Sequence, residues 1–169
     1  METNLKKRWI SLFVENQHGV LAKISGLFSA KLYNLESLTV GTTEDPSVSR
    51  MTIETRSDDE TFEQIKKQLN RMVEVIKVLD FTDSSVCMKE LLYVKVKKCN
   101  RHDKEELFQI AQSFQARIVD YGTDSLLLEF VHSATKNDAI IKLMKEEFES
   151  IEVVRGGSVA IEAINMTQR

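Results

Sequence analysis

The chain has 169 residues, of which 42% are hydrophobic and 29% charged, with a formal net charge of −3. These are ordinary values for a globular protein of one domain or two small ones, and they provide no global basic field to attract nucleic acid. No apolar run approaches the roughly 18–20 residues of a membrane-spanning helix. The short run behind Lys6-Lys7-Arg8 carries Ser11 and ends at Glu15, which does not suit a secretory signal, so the expectation is a cytoplasmic protein.

Ile10, Leu12 and Val14 alternate with Ser11 and Phe13, a period of two that predicts a strand with one buried face. From Val20 the period changes: Val20, Ile24, Leu27 and Phe28 fall on one helical stripe. Asn34 restarts an extended segment through Leu35, Leu38 and Val40, and the turn region Gly41 to Ser47 holds Pro46, the only proline. Val48 to Thr55 reads as the hairpin partner. Ser57 and Glu60 have capping-box spacing ahead of a helix carrying Phe62, Ile65, Leu69 and Met72. Val75 to Phe81 closes the first half as a strand. The order β-α-β-β-α-β is the split βαβ, or ferredoxin-like, arrangement.

The second half repeats this grammar less cleanly. Leu91 to Lys97 alternates as a strand, and Asp103 opens a helix whose inner side is Leu107, Ile110, Ala111 and Phe114. Arg117–Asp120 and Leu126–Val131 read as strands joined at Tyr121-Gly122-Thr123-Asp124. Thr135 and Asp138 can cap a helix carrying Ile140, Ile141, Met144 and Phe148. Ile151–Val154 and Ser158–Ile161 supply closing strands around Arg155-Gly156-Gly157, read as a tight turn or an anion-binding nest. The polar seam Asp83-Ser84-Ser85 divides the chain into domains 1–83 and 84–169. The predicted fold class is α+β: two consecutive ferredoxin-like domains, each an antiparallel sheet with its helices on one face. Domains this small bury modest cores, which favours pairing of chains.

The joint Glu15-Asn16-Gln17-His18-Gly19-Val20 carries two amides and a glycine where a strand gives way to a helix. Unpaired N–H groups at a helix start can hold a carboxylate with the helix dipole assisting, so this joint suits binding of a small acidic molecule; a plain cap and turn glycine is the other reading. No nucleophile sits there with a base. P-loop, dinucleotide, zinc-ligand and hydrolase motifs are absent. Cys87 and Cys99 lie far apart, as do His18, His102 and His132, so metal binding is not expected; the thiols read as reduced and mostly buried. Glu44-Asp45-Pro46 reads as an acidic hairpin tip. Lys95, Lys97, Lys98 and Arg101 form the best basic patch, a solvated strand face or a partner contact.

The stretch Trp9 to Ile53, with its segments VEN-x-x-GVL, GLFSA, YN-x-ESLTVG-x-TEDP and SRMTI, closely resembles the amino-terminal ACT domain of the small, regulatory subunits of acetolactate synthase (acetohydroxyacid synthase). The resemblance continues less specifically through the VKV and EVVR-x-G segments. It implies a non-catalytic chain that binds and activates a large catalytic subunit and confers feedback inhibition by valine or another branched-chain amino acid. Thiamine diphosphate, magnesium and FAD would reside on that partner, with no cofactor on this chain. It further implies an effector site between the ACT domains of two chains, at least a homodimer, with contacts at Asn16, Gly19, Val20, Leu21, Asn34 and Leu35. The residue types fit: Gly19 permits close backbone approach, the amides near Val20 and Leu21 can receive a carboxylate, and Asn16 and Asn34 offer oxygens to an ammonium group. Val20 and Leu35 could form part of an apolar wall. Leu32 stands where the family usually has glycine, so either that turn is remodelled or a left-handed leucine is tolerated. A stand-alone amino-acid sensor acting on another enzyme or on transcription is the main alternative, and a small enzyme on a ferredoxin-like scaffold the next.

Overall fold

The computed structural model describes residues 5–82 and 84–164. Among these residues twelve elements follow in the order β1 (Lys6–Glu15), α1 (Val20–Ala30), β2 (Ser37–Thr42), β3 (Val48–Ser57), α2 (Asp59–Asn70), β4 (Val75–Asp80), β5 (Val86–Lys97), α3 (Arg101–Ser113), β6 (Arg117–Tyr121), β7 (Ser125–His132), α4 (Ala134–Glu147) and β8 (Ser150–Glu162). They form two four-stranded sheets, ordered β2-β3-β1-β4 and β6-β7-β5-β8. Both βαββαβ units expected from the hydrophobic periods are present, each built on an antiparallel sheet. Two compact units result: the chain up to Cys87 together with the segment from Ser158, and Met88–Gly157.

In the first unit β1 is antiparallel to both β3 and β4, and β2 is antiparallel to β3, leaving β2 and β4 at the edges. Ile10, Leu12 and Val14 of β1 stand opposite Ile53, Met51 and Ser49 of β3. They share one core with Val20, Ile24 and Phe28 of α1 and Phe62, Ile65 and Leu69 of α2. Since both helices bury their stripes against the same strand positions, both lie on the same face of the sheet. The reverse face mixes polar groups with Trp9 and Phe13 of β1. Ser11 and Thr52 are buried, the Ser11 hydroxyl accepts from Arg50 Nε at 3.0 Å, and the Thr39 hydroxyl donates to the Ser158 carbonyl at 2.9 Å. The second unit repeats the plan: Leu92, Val94, Val96, Leu126, Leu128 and Phe130 pack with Leu107, Ile110 and Ala111 of α3 and Ile140 and Met144 of α4.

Local details correct several sequence expectations. Ser57 does not cap α2: it is the last β3 residue, paired with Lys6 and buried, so its backbone is committed to the ladder. Asp58 caps instead, accepting from the Thr61 amide at 2.7 Å. Likewise α4 is capped by Ser133 rather than Thr135, while Asp138 is drawn to Arg155 Nη1 at 2.6 Å. Helix α3 begins before Asp103, with Asn100 as cap and Asp103 completing a capping box. Arg155-Gly156-Gly157 is neither a tight turn nor a break. One strand, β8, runs through it, with Gly157 at φ 78° absorbing the local distortion. Cys99 is buried, and burial pushes its thiol up; Cys87, at an outward position of β5, is exposed.

Candidate functional site

The joint after β1 is held by its neighbours before it is open to any ligand. The Asn16 amide donates to the Ser47 carbonyl at 2.7 Å and its Nδ2 donates to the Pro46 carbonyl at 2.9 Å. Those bonds tie the end of β1 to the β2–β3 hairpin and leave Asn16 Oδ1 without a donor among the described residues. The hairpin tip is itself stiffened, because Asp45 Oδ1 accepts from the Ser47 amide and hydroxyl at 2.8 and 2.7 Å. These bonds hold the Asp45 carboxyl below its ordinary value. Among the described residues no group of His, Cys, Asp or Glu could hold a metal ion.

Gly19 is the N-cap of α1 in a left-handed conformation, φ 85°, and no side chain among the described residues caps the helix. The Val20 amide reaches back to the Gln17 carbonyl at 3.4 Å, and Lys23 donates to the Gly19 carbonyl at 2.9 Å. Between them, the amides of Leu21 and Ala22 find no acceptor among the described residues. An uncapped helix start with positive dipole is receptive to a carboxylate. A Cβ placed on Gly19 would meet nothing within 4 Å, so the space beside the backbone is open. The Val20 side chain turns away from it into the core at 3% exposure, whereas Leu21 is exposed. Of the two, only Leu21 can offer an apolar side chain at this end.

Asn34 and Leu35 lie elsewhere. The Asn34 carbonyl accepts from the Thr55 hydroxyl, its Nδ2 sits 3.5 Å from Glu36 Oε1, and Leu35 packs half-buried on the first core. Glu36, just beyond, bonds the Glu54 carbonyl through its amide and is paired with Arg56. The ladder fixes the separation. Asn16 is tied to Ser47, beyond the Val48 end of β3, and Asn34 to Thr55, near the other end. At about 3.3 Å per residue those anchors are on the order of 25 Å apart. Within one protomer the six expected residues therefore fall into two groups, at opposite ends of one sheet.

Leu32 adopts φ 55°, so the turn keeps its left-handed geometry with leucine in place. In the expected basic patch, Lys97, Lys98 and Arg101 are paired with Glu152, Glu149 and Glu105. Sequence reading missed a polar cluster in the second unit. Glu90, 4% exposed, accepts both Arg155 Nε at 2.9 Å and Nη2 at 2.8 Å, and Asn137 Nδ2 at 2.9 Å. These residues are 47 and 65 positions apart, with no local spacing to announce them.

Two family profiles cover most of the chain: the "AHAS small subunit-like ACT domain" over residues 10–77 and the "Small subunit of acetolactate synthase" over residues 89–164. The probable acetolactate synthase small subunit of Archaeoglobus fulgidus is 43% identical over 92% of this chain and 96% of its own. The acetolactate synthase small subunit of Bacillus subtilis is 39% identical over 91% and 89%. The crystal structure of the acetolactate synthase small subunit from Thermotoga maritima matches with a TM-score of 0.84 at 32% identity, covering 95% of this chain and 99% of that one. Matching both halves in order, over nearly the full length of its relatives, this chain belongs to the family of acetolactate synthase small subunits, the non-catalytic regulatory subunits of that enzyme.

Proposed function

We propose that this chain binds valine, or a close branched-chain relative, between the ACT domains of two copies and so shifts a thiamine-diphosphate-dependent catalytic large subunit between active and inhibited arrangements. The observation that carries this reading is the separation of the half-sites. Asn16, Gly19 and the Leu21 amide sit at one end of the first sheet, and Asn34 and Leu35 at the other. A second copy laid antiparallel along the outer edge of β2, which has no neighbouring strand in the first sheet among the described residues, would bring the Asn34 end of one protomer to the Asn16 end of the other. The free Leu21 and Ala22 amides would take the amino acid's carboxylate, and the Asn16 and Asn34 oxygens its ammonium. Leu21 and Leu35 would flank its branched side chain.

On this reading residues 1–83 bind effector and dimerise, while residues 84–169 form the second domain of the subunit. The thiamine diphosphate, magnesium and FAD belong to the large subunit, and the assembly is cytoplasmic, with neither nucleic acid nor membrane as partner. A site completed by two chains depends on how they are arranged, and coupling of about 1–3 kcal/mol gives useful feedback.

The test reconstitutes the chain with its large subunit and titrates valine. Gly19→Asp sets a negative charge against the ligand carboxylate and should raise the half-inhibiting concentration about tenfold or more, with activation retained. Gly19→Asn tolerates the left-handed backbone without charge and controls for strain. If Gly19→Asp stays as valine-sensitive as the parent, the site assignment falls.

A further inference from the structure

The second unit opens a cavity at the counterpart of the Asn16 joint. The Cys99 amide donates to the Asp124 carbonyl at 2.7 Å, as the Asn16 amide does to that of Ser47 at the same distance, so each strand-to-helix joint is tied to the hairpin beside it. The two joints are finished differently. α1 starts at Gly19 with no side-chain cap, whereas Asn100 and Asp103 close the start of α3 with a reciprocal capping box. That box already places a carboxylate on this helix start, so a further anion must be held by side chains. The space beside it holds about 440 Å³ and is lined in part by Cys99, Arg101, Lys104, Phe108, Tyr121 and Thr123. It has room for a small organic molecule.

Two features of this lining are left open by the fold. The first is a buried cation without a counter-charge. Lys104 is 9% exposed, and its Nζ donates to the Gly122 carbonyl at 2.8 Å and to that of Thr123, 4.5 Å from the centre of the Tyr121 ring. These partners are neutral, and no carboxylate among the described residues pairs with it, although buried ammonium groups are as a rule paired. The second is an aromatic pair facing water. Phe108 and Tyr121 are 47% and 55% exposed, with ring centres 6.1 Å apart and planes within 29°. Arg101 stands at the mouth, its side chain 93% exposed and paired only with Glu105 one turn along its own helix. An exposed pair of that kind is weak and free to exchange partners.

We propose that this cavity binds a small aromatic carboxylate, its ring against the Phe108–Tyr121 pair and its carboxylate on the Lys104 ammonium, with Arg101 turning in from the mouth. The ring covers the exposed aromatic faces, and the carboxylate supplies the missing counter-charge where low polarity strengthens the attraction. One buried cation beside an already capped helix suits a single negative charge and not a polyphosphate. The site is separate from the effector site proposed for the first unit, and neither depends on the other.

Titrating the full, isotope-labelled chain with phenylacetate while following its amide resonances tests this. The resonances of Asn100–Glu105 and Tyr121–Asp124 should move saturably, with a Kd of about 1 mM or below. Phenylacetamide, the same shape without charge, and acetate, the charge without a ring, should each bind about tenfold or more weakly. Phe108→Ala and Arg101→Gln alter exposed side chains and should each weaken phenylacetate about threefold or more, with thermal unfolding unchanged. Lys104→Met should reduce the preference for phenylacetate over phenylacetamide to about twofold or less, a loss of charge discrimination that mere loosening of the turn does not produce. Three results would each overturn the proposal: no saturable movement at about 20 mM phenylacetate, equal binding of phenylacetate and phenylacetamide by the parent, or full affinity retained in Phe108→Ala and Arg101→Gln.

Discussion

Replacing Arg155 with methionine tests the energetics of the second unit most directly, because it strips both of that residue's charge-assisted hydrogen bonds from a largely buried carboxylate. Glu90 is 4% exposed, and Arg155 meets it in a bidentate pair at 2.9 and 2.8 Å, so the guanidinium joins β5 to β8. Breaking a buried pair costs about 3–5 kcal/mol; because the Arg155 side chain is itself 37% exposed, a loss of about 2–3 kcal/mol is expected here. Asn137 deepens the loss, being fully buried with Nδ2 committed to Glu90 and Oδ1 unpartnered. Glu90→Gln leaves a neutral acceptor and lets Arg155 keep Asp138, so it should cost about 1 kcal/mol. The double variant should be less destabilised than the sum of the two.

The pH dependence has a definite sign. Burial raises the Glu90 carboxyl, but the hydrogen bonds from Arg155 and Asn137 and the charge of Arg155 outweigh it and hold the group below its usual value. A depressed carboxyl stabilises the fold fully above its unfolded pKa and loses that contribution as pH falls through the folded one. Without Arg155 the carboxyl rises under burial, so Arg155→Met is penalised most at neutral pH. Urea unfolding followed by far-ultraviolet circular dichroism should show the parent and Arg155→Met converging from pH 7 towards pH 3. A gap under 0.5 kcal/mol at pH 7, or one that widens on acidification, refutes the reasoning.

Two further outcomes are expected. Ser133→Ala removes the α4 cap on the Lys136 amide and should cost about 1 kcal/mol, while Thr135→Ala stays within about 0.5 kcal/mol; chemical denaturation distinguishes them. Lys104 is buried and donates to the Gly122 carbonyl at 2.8 Å and to that of Thr123, over the Tyr121 ring, so Lys104→Met should cost about 1–2 kcal/mol. Hydrogen exchange should then quicken at Gly122 and Cys99, whose amides are bonded across that turn to Ser125 and Asp124.

What could be read from the residues alone was whatever depends on neighbours in sequence. Alternation at Ile10, Leu12 and Val14 and the stripe at Val20, Ile24 and Phe28 announced a strand and a helix, because period two and period 3.6 each place apolar groups on one side. The same local logic placed Gly19 at a strand-to-helix joint, whereas only the family resemblance singled out Leu32, and it left open whether the turn there was remodelled or left-handed. Caps were legible in kind and missed in position. Ser57 and Asp58 are both good caps, and only the pairing of Ser57 with Lys6 decides that the strand runs one residue further.

Tertiary structure decided matters that join distant positions. Whether Arg155-Gly156-Gly157 turns or continues depends on β5 as its neighbour and on Glu90, 65 residues away, as the partner of Arg155. Whether Val20 lines a pocket or fills a core depends on which way α1 is rolled against the sheet. Whether Asn16 and Asn34 can share a ligand depends on the register of β3, which sets them at opposite ends. Sequence names the groups that can bind; chain geometry, fixed by which apolar faces must meet, determines which of them a single copy can bring together.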